Sequence, residues 1–304
     1  MATRGPPPHT GPRPAADEPV TVIPVHDPSE QTILITGATS GLGRALAGHL
    51  ATHGARILVH GRDRTRADNA AATIRQTTGN HRVETALADL SSLRQTQDLA
   101  DDVRRRCDRL DVLVNNAGVG AGADNTRREE STDGVELRFA VNYLAEYYLT
   151  QLLVPLLRSS APARVLNIAS AGQHPIEFED PMLRTNYAGT RAYARSKLAQ
   201  IMLTFDLAEQ LRDDGITVNA LHPATYMNTR MVREAGISPL NTVEDGIDAA
   251  VRLITSPETE GVTGRYFHGT REAHALEQAY DPHARAQLRE LAEGLLAETA
   301  LPEA

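Results

Sequence analysis

The stretch ILITGATSGLGRAL, residues 33–46, sets a short apolar run against a glycine-rich turn that opens into a helix-forming segment. Gly37, Gly41 and Gly43 are the turn's glycines. Bare backbone there can approach a phosphate closely, and a helix N-terminus adds N–H donors and partial positive charge. A glycine triplet alone is consistent with nothing more than a tight turn. The strand-turn-helix setting is what points to a dinucleotide site.

The same rhythm continues outward. TILIT (32–36), RILVH (56–60), VETALA (83–88), LDVLVNN (110–116), ARVLNIAS (163–170), ITVNALH (216–222) and GRYFHG (264–269) read as seven strands. They are apolar throughout rather than alternating, as strands covered on both faces are. Helix-length segments separate them, including 41–53, 91–107, 129–158, 192–212 and 242–254, with a last one near 284–296. Repeated β-α-β units imply an α/β fold: one doubly wound parallel sheet of about seven strands, helices on both faces, ligands at the strand C-termini. No internal repeat or second domain is visible. Residues 1–30 stand apart, holding eight of the 17 prolines, and read as a disordered extension. The domain itself is expected over 31–297, with 298–304 as a tail.

Bulk properties narrow the partners. A formal net charge of −8 argues against nucleic acid or an anionic membrane surface. No apolar run approaches the roughly 20 residues needed to span a bilayer. The N-terminus carries arginines and prolines but no apolar leader segment, which together with a single cysteine, Cys107, predicts a cytoplasmic protein without disulfides. Cys107 reads as a small half-buried helix residue, and no cluster of metal ligands is evident.

The spacing TGxxxGxG resembles that of short-chain dehydrogenases/reductases, and further motifs follow in the family's order. NNAG (115–118) resembles the fourth-strand motif, Asp89 in ADLSSL the acid beside the adenine, and Asn142 in VNYLAEYYLT the active-site asparagine. Ser170 in NIASAG stands at the serine position, and YARSK supplies Tyr193 and Lys197. The resemblance covers about 31–296. It implies a Rossmann-type domain and cofactor contacts from Gly37, Thr39, Ser40, Gly41, Leu42, Gly43, Asp89, Leu90, Asn116, Ala117, Gly118, Tyr193, Lys197, Pro223 and Thr225. Some positions depart from the pattern. Ala169 replaces the first of two usual serines, Ala145 and Glu146 stand where glycine and histidine are common, and HPATYMNT has Ala224 after the proline. The nicotinamide amide is left to either Thr225 or Thr229.

Tyr193 and Lys197 are spaced i, i+4 and share a helix face. A free tyrosine, with a pKa near roughly 10, is a poor base at neutral pH. A nearby cation stabilises tyrosinate, so Tyr193 can take a proton from an alcohol or give one to a carbonyl. Ser170 would hold the substrate oxygen. In the family the lysine also binds the nicotinamide ribose, and Asn142 is expected to fix a water that links Lys197 to solvent. Lys197 is the single lysine among 31 basic Lys and Arg residues. That arginine has taken every other cationic position suggests it cannot take this one.

After the second strand, an acid suits the ribose 2′-OH of NAD, whereas an arginine suits the 2′-phosphate of NADP. The turn offers Arg62, with Arg64 nearby, while Asp63 reads as the cap of the next helix. NADP(H) is therefore favoured over NAD(H). Candidate substrate contacts are Ser170, His174, Tyr187, Tyr226 and Met227, with Met182, Leu183 and Met231 as further apolar walls. The long interval between Ser170 and Tyr193 resembles the retinol-dehydrogenase-like branch, which implies a largely apolar alcohol or carbonyl. Two alternatives stay open: a non-redox enzyme using the nicotinamide transiently, or a non-catalytic nucleotide sensor. The long helices 129–158 and 192–212 resemble the family's pairing face, so a homodimer or homotetramer is expected.

Overall fold

A computed structural model describes residues 27–234 and 236–299. Most of the Pro-rich extension, and residues 300–304 of the expected tail, lie outside the described residues. The described residues begin slightly before the expected boundary, at Asp27. A 3-10 turn, Pro28–Glu30, is capped by Asp27, whose carboxylate accepts from the Ser29 N–H at 2.9 Å. Arg82 clamps this turn to the body through the carbonyls of Ser29 and Gly54.

The first half of the chain runs β1 (Thr32–Ile35), α1 (Gly41–Thr52), β2 (Arg56–Gly61), α2 (Arg64–Thr78), β3 (Val83–Leu87), α3 (Leu93–Arg106) and β4 (Val112–Asn115). The second half adds α4 (Leu137–Phe139), α5 (Ala145–Ser159), β5 (Ala163–Ile168), α6 (Gly189–Gln210) and β6 (Ile216–His222). It closes with α7 (Arg230–Glu234), α8 (Val243–Thr255), β7 (Arg265–His268), β8 (Arg271–Glu272) and α9 (Pro282–Glu298). The sheet order is β3-β2-β1-β4-β5-β6-β7-β8. Strands β1 to β7 are parallel, and β8 folds back antiparallel onto β7. This eighth strand is two residues long, too short for a hydrophobic pattern to announce it.

Residues of the central strands β1, β2, β4, β5 and β6 are buried on both faces almost throughout, as their apolar character requires, whereas the outer strands β3 and β7 are only partly buried and β8 is exposed. Ile33 and Ile35 of β1 pack toward α1, α2 and α8, whereas Leu34 between them packs toward α3, α5 and α6. The chain reverses its winding between β1 and β4, which leaves a crevice at their C-terminal ends.

The expected helix over 129–158 begins late. Residues 129–136 form a turn closed by a Glu130–Glu136 bridge, with Gly134 at φ 76°. A left-handed residue there interrupts a helix, and Asp133 instead accepts from the Leu93 N–H at the start of α3. Helix then runs from α4 through a π turn, Ala140–Leu144, into α5.

The C-terminal α9 lies across α5 and α6. Leu288 and Ala292 are buried against the core, Tyr143 donates to the Leu288 carbonyl at 3.3 Å, and Tyr147 donates to Glu293 at 3.3 Å. Asp206 of α6 accepts from both Arg285 and Arg289 of α9, at 2.8 and 2.5 Å. The cavity left between them, about 10 Å³, has room for one water at most.

Candidate active site

The glycine turn is held from two sides. Thr36 Oγ1 accepts from the N–H groups of Asn116 and Ala117, both at 2.9 Å, and Asn116 Nδ2 donates back to the Thr36 carbonyl at 2.8 Å. Packing here leaves no room for side chains. A Cβ on Gly43 would stand 2.4 Å from Asn116 Nδ2, and one on Gly37 would stand 2.8 Å from Ala117 Cα. NNAG thus buttresses the turn. On the other side stands His60, which nothing in RILVHG distinguishes by sequence alone. Its Nδ1 accepts from the Gly37 N–H at 3.1 Å, and its Nε2 lies 3.1 Å from the Ala88 carbonyl. That pair of bonds selects the neutral Nε2–H tautomer. Burial pushes its pKa down to about 4, against the opposing influence of the Ala88 bond and Asp89.

Ser40 precedes α1 but its side chain does not cap the helix. The first-turn N–H groups at Gly41, Leu42 and Gly43 therefore face the crevice with the helix dipole behind them, a donor set that fits a pyrophosphate. Thr39 lies against Gly61, whose Cβ would clash with it at 2.3 Å. Asp89 accepts from the Ser91 N–H at 2.9 Å, and Leu90 is buried beside it. Arg62 and Arg64 are exposed at the β2–α2 turn, while Asp63 caps α2 by accepting from the Arg66 N–H at 2.8 Å.

Ser170, Tyr193, Lys197 and Asn142 come together where β4, β5 and α6 meet. Lys197 Nζ lies 5.7 Å from the centre of the Tyr193 ring. A Cβ on Gly118 would be 3.5 Å from Asn142 Oδ1 and 3.7 Å from Lys197 Nζ, in ordinary van der Waals contact, which places Gly118 against both side chains. Burial raises the Tyr193 pKa, and a hydrogen bond from Ser170 opposes the rise. Asn142 is fully buried in the π turn. Its Oδ1 accepts from the Val119 N–H at 2.7 Å, and its Nδ2 donates to the Val119 carbonyl and to Ser196 Oγ, at 3.1 and 2.8 Å. Such wider turns recur at functional sites.

Lys197 is itself 5% exposed. It donates to the Ile168 carbonyl at 2.9 Å and to Gln200 Oε1 at 2.7 Å. Gln200 Nε2 in turn donates to Glu146 of α5. Burial pushes Lys197 down and Glu146 up, and in each case the opposite charge of the other resists. Gln200 escaped the sequence reading, and Glu146 registered there only as a departure from pattern. Beneath them, Asn115 donates to Thr150 and Asn167, and Asn167 to Thr204, fixing α5 and α6 to the strands.

The candidate substrate residues scatter. His174 is half-buried on the rim, its backbone N–H on the Ala194 carbonyl at 3.3 Å. Tyr187 is occupied, donating to Glu136 Oε1 at 2.9 Å beside the buried Arg138 that holds the Gly120 and Ala121 carbonyls. Met227 packs inward; a Cβ on Gly246 of α8 would meet its sulfur at 2.5 Å. Tyr226 is 46% exposed, with a strained φ of 47°. Met182 and Leu183 are buried, and the Met231 side chain lies outside the described residues. Of the two threonines, Thr225 lies 3.1 Å from His222 Nε2, while Thr229 stands over the glycine turn, 3.6 Å from where a Gly41 Cβ would be. Pro223, before Ala224, is buried. Cys107 is also buried, closing α3, and burial pushes its thiol up, as befits an inert residue. Among the described residues no group of His, Cys, Asp and Glu could hold a metal, and no helix is long and apolar enough to cross a membrane.

Residues 31–238 match the family model described as short chain dehydrogenase. The chain is 38% identical to retinol dehydrogenase 14 of Mus musculus over 289 residues, 86% of this chain and 85% of that protein. Among solved structures it resembles a short-chain dehydrogenase from Escherichia coli CFT073 complexed with NADPH, with TM-score 0.66 and 27% identity over 80% of this chain and 97% of the other. It also resembles a 3-ketoacyl-(acyl-carrier-protein) reductase from Brucella melitensis complexed with NADH, with TM-score 0.63 and 26% identity over 79% and 96%. The chain belongs to the short-chain dehydrogenase/reductase family of nicotinamide-dependent oxidoreductases, in its retinol-dehydrogenase-like branch.

Proposed function

We propose that this protein is an NADP(H)-preferring oxidoreductase that interconverts an alcohol with its ketone or aldehyde on a small, largely apolar substrate. The observation carrying this reading is the convergence of Ser170, Tyr193 and Lys197 beside the glycine turn, with the ammonium 5.7 Å from the phenol ring centre. Gly41, Leu42 and Gly43 are the groups to hold the pyrophosphate, and Arg62 is the cation available for a 2′-phosphate. A bound nicotinamide supplies or accepts the hydride. The chain's own part is to move the proton. In reduction, Tyr193 gives its phenolic proton to the carbonyl oxygen while the Ser170 hydroxyl holds that oxygen in place. Tyrosinate left behind is stabilised by the Lys197 ammonium. Asn142 has one lone pair of Oδ1 uncommitted, enough to hold a water through which the proton is replaced.

An apolar substrate is supported by the name of the similar retinol dehydrogenase and by the apolar lip after β6, where Leu240 is 70% exposed beside Ile237 and Tyr226. The test is NADPH consumption against a panel of apolar ketones and aldehydes, with the alcohol product quantified. Stoichiometric alcohol formation, lost in Tyr193→Phe, is expected. Product without net NADPH consumption would assign non-redox chemistry instead.

A further inference from the structure

We propose that Glu146 is a positioning residue whose buried carboxylate, acting through the Gln200 amide, keeps the Lys197 ammonium charged and aimed at Tyr193. The proposal rests on the reading of Tyr193 and Lys197 given above.

Two elements build the arrangement. Glu146, on α5, is 5% exposed; one carboxylate oxygen accepts from Gln200 Nε2, while the other is buried without a hydrogen-bond partner. Gln200, on α6, turns its oxygen to Lys197 at 2.7 Å. Its amide dipole is therefore aligned between the two charges, oxygen toward the cation and NH₂ toward the anion. Negative charge at Glu146 polarises the amide so that its oxygen is a better acceptor for the ammonium. In dry surroundings this matters more than it would in water. The Ile168 carbonyl takes a second ammonium hydrogen at 2.9 Å, leaving the third for the open side of the site.

A buried ammonium without a negative partner gives up its proton. The groups facing Lys197 supply little else. Asn142 in the π turn and Ser196 of α6 are neutral. Tyr193 carries charge only once ionised. His222, at the end of β6, is held neutral, with burial and the charges of His268 and Lys197 pushing it down to about 4. Glu146 is the carboxylate whose charge supports Lys197. A carboxyl this deep, next to a chain of two hydrogen bonds ending on the lysine, is costly as packing alone.

The lone lysine makes the test direct. Isotopic labelling of lysine gives one side-chain NMR signal, whose pH titration reports Lys197 in the full-length protein. Glu146→Gln should lower that midpoint by about one unit or more and move the alkaline limb of the kcat/KM profile down with it. Combining Glu146→Gln with Gln200→Glu returns a carboxylate to the pair and should restore both. If Glu146→Gln does not fold, Gln200→Met cuts the bridge with Glu146 in place, and the midpoint must again fall. An unchanged midpoint in a folded variant, or a drop that the exchanged pair fails to reverse, overturns the proposal. The titration needs no turnover, so it stands apart from the proposed redox reaction, whose own failure appears as a lack of alcohol product.

Discussion

Lys197 has two of its three ammonium hydrogens committed to fixed oxygens in a buried corner. A guanidinium is broader, planar and rigidly forked, and cannot meet the Ile168 carbonyl, Gln200 and the Tyr193 side at once. Lys197→Arg should therefore keep the charge yet lose most of the turnover, as steady-state rates would reveal. Tyr193→Phe removes only the phenolic oxygen and should cost roughly 10²–10⁴-fold in kcat with the melting temperature little changed. These two residues were legible because their spacing and the scarcity of lysine are properties of sequence. His60 was not, since its role comes from a neighbour 23 positions away. It refuses, while folded, a proton that it accepts when unfolded, its pKa being lowered from 6.5 to about 4. The stability it lends is thus complete above pH 6.5 and drains away as pH falls toward 4, by about 3 kcal/mol in all. His60→Gln cannot titrate, so its melting temperature should fall less steeply over that range. Parallel slopes for the two proteins would refute this assignment.

The β2–α2 connection is where one element hands its ligand preference to the next. Asp63 is spent on capping α2, as the sequence suggested, which leaves Arg62 free at the turn. Arg62→Asp replaces an attraction for a 2′-phosphate with a repulsion, and should turn an NADP(H) preference into an NAD(H) preference. Equal cofactor affinities in the unmodified protein, measured by calorimetry, would remove the basis for that prediction. The central strands were readable because burial on both faces demands unbroken apolar runs. Residues 129–136 misled because their charged side chains suit a helix surface, whereas Gly134 and the Asp133 bond to α3 decide otherwise. Tyr187 and Met227 were legible as apolar but not as occupied. A partner such as Glu136 or Gly246 is fixed by tertiary packing, and no local pattern displays it.

At the scale of the whole molecule, pairing through the helices of 129–158 and 192–212 meets α9 on that face. The family resemblance implies a homodimer or homotetramer, but with α9 seated on that face we expect light scattering to give the mass of one chain at micromolar concentration. A larger mass would mean that association uses another surface or that α9 has moved. Leu288, 2% exposed, anchors the helix, and Leu288→Ala should cost about 2–5 kcal/mol by chemical denaturation. Because α9 is joined to the surface it covers, it rebinds with an effective concentration that short tethers set in the millimolar range. A second copy must therefore compete with an occupant that never diffuses away. Where two chains do join through α5 and α6, the economical route is trade rather than displacement: each lends its α9 to the other, every contact is kept, and the dimer forms slowly and comes apart slowly.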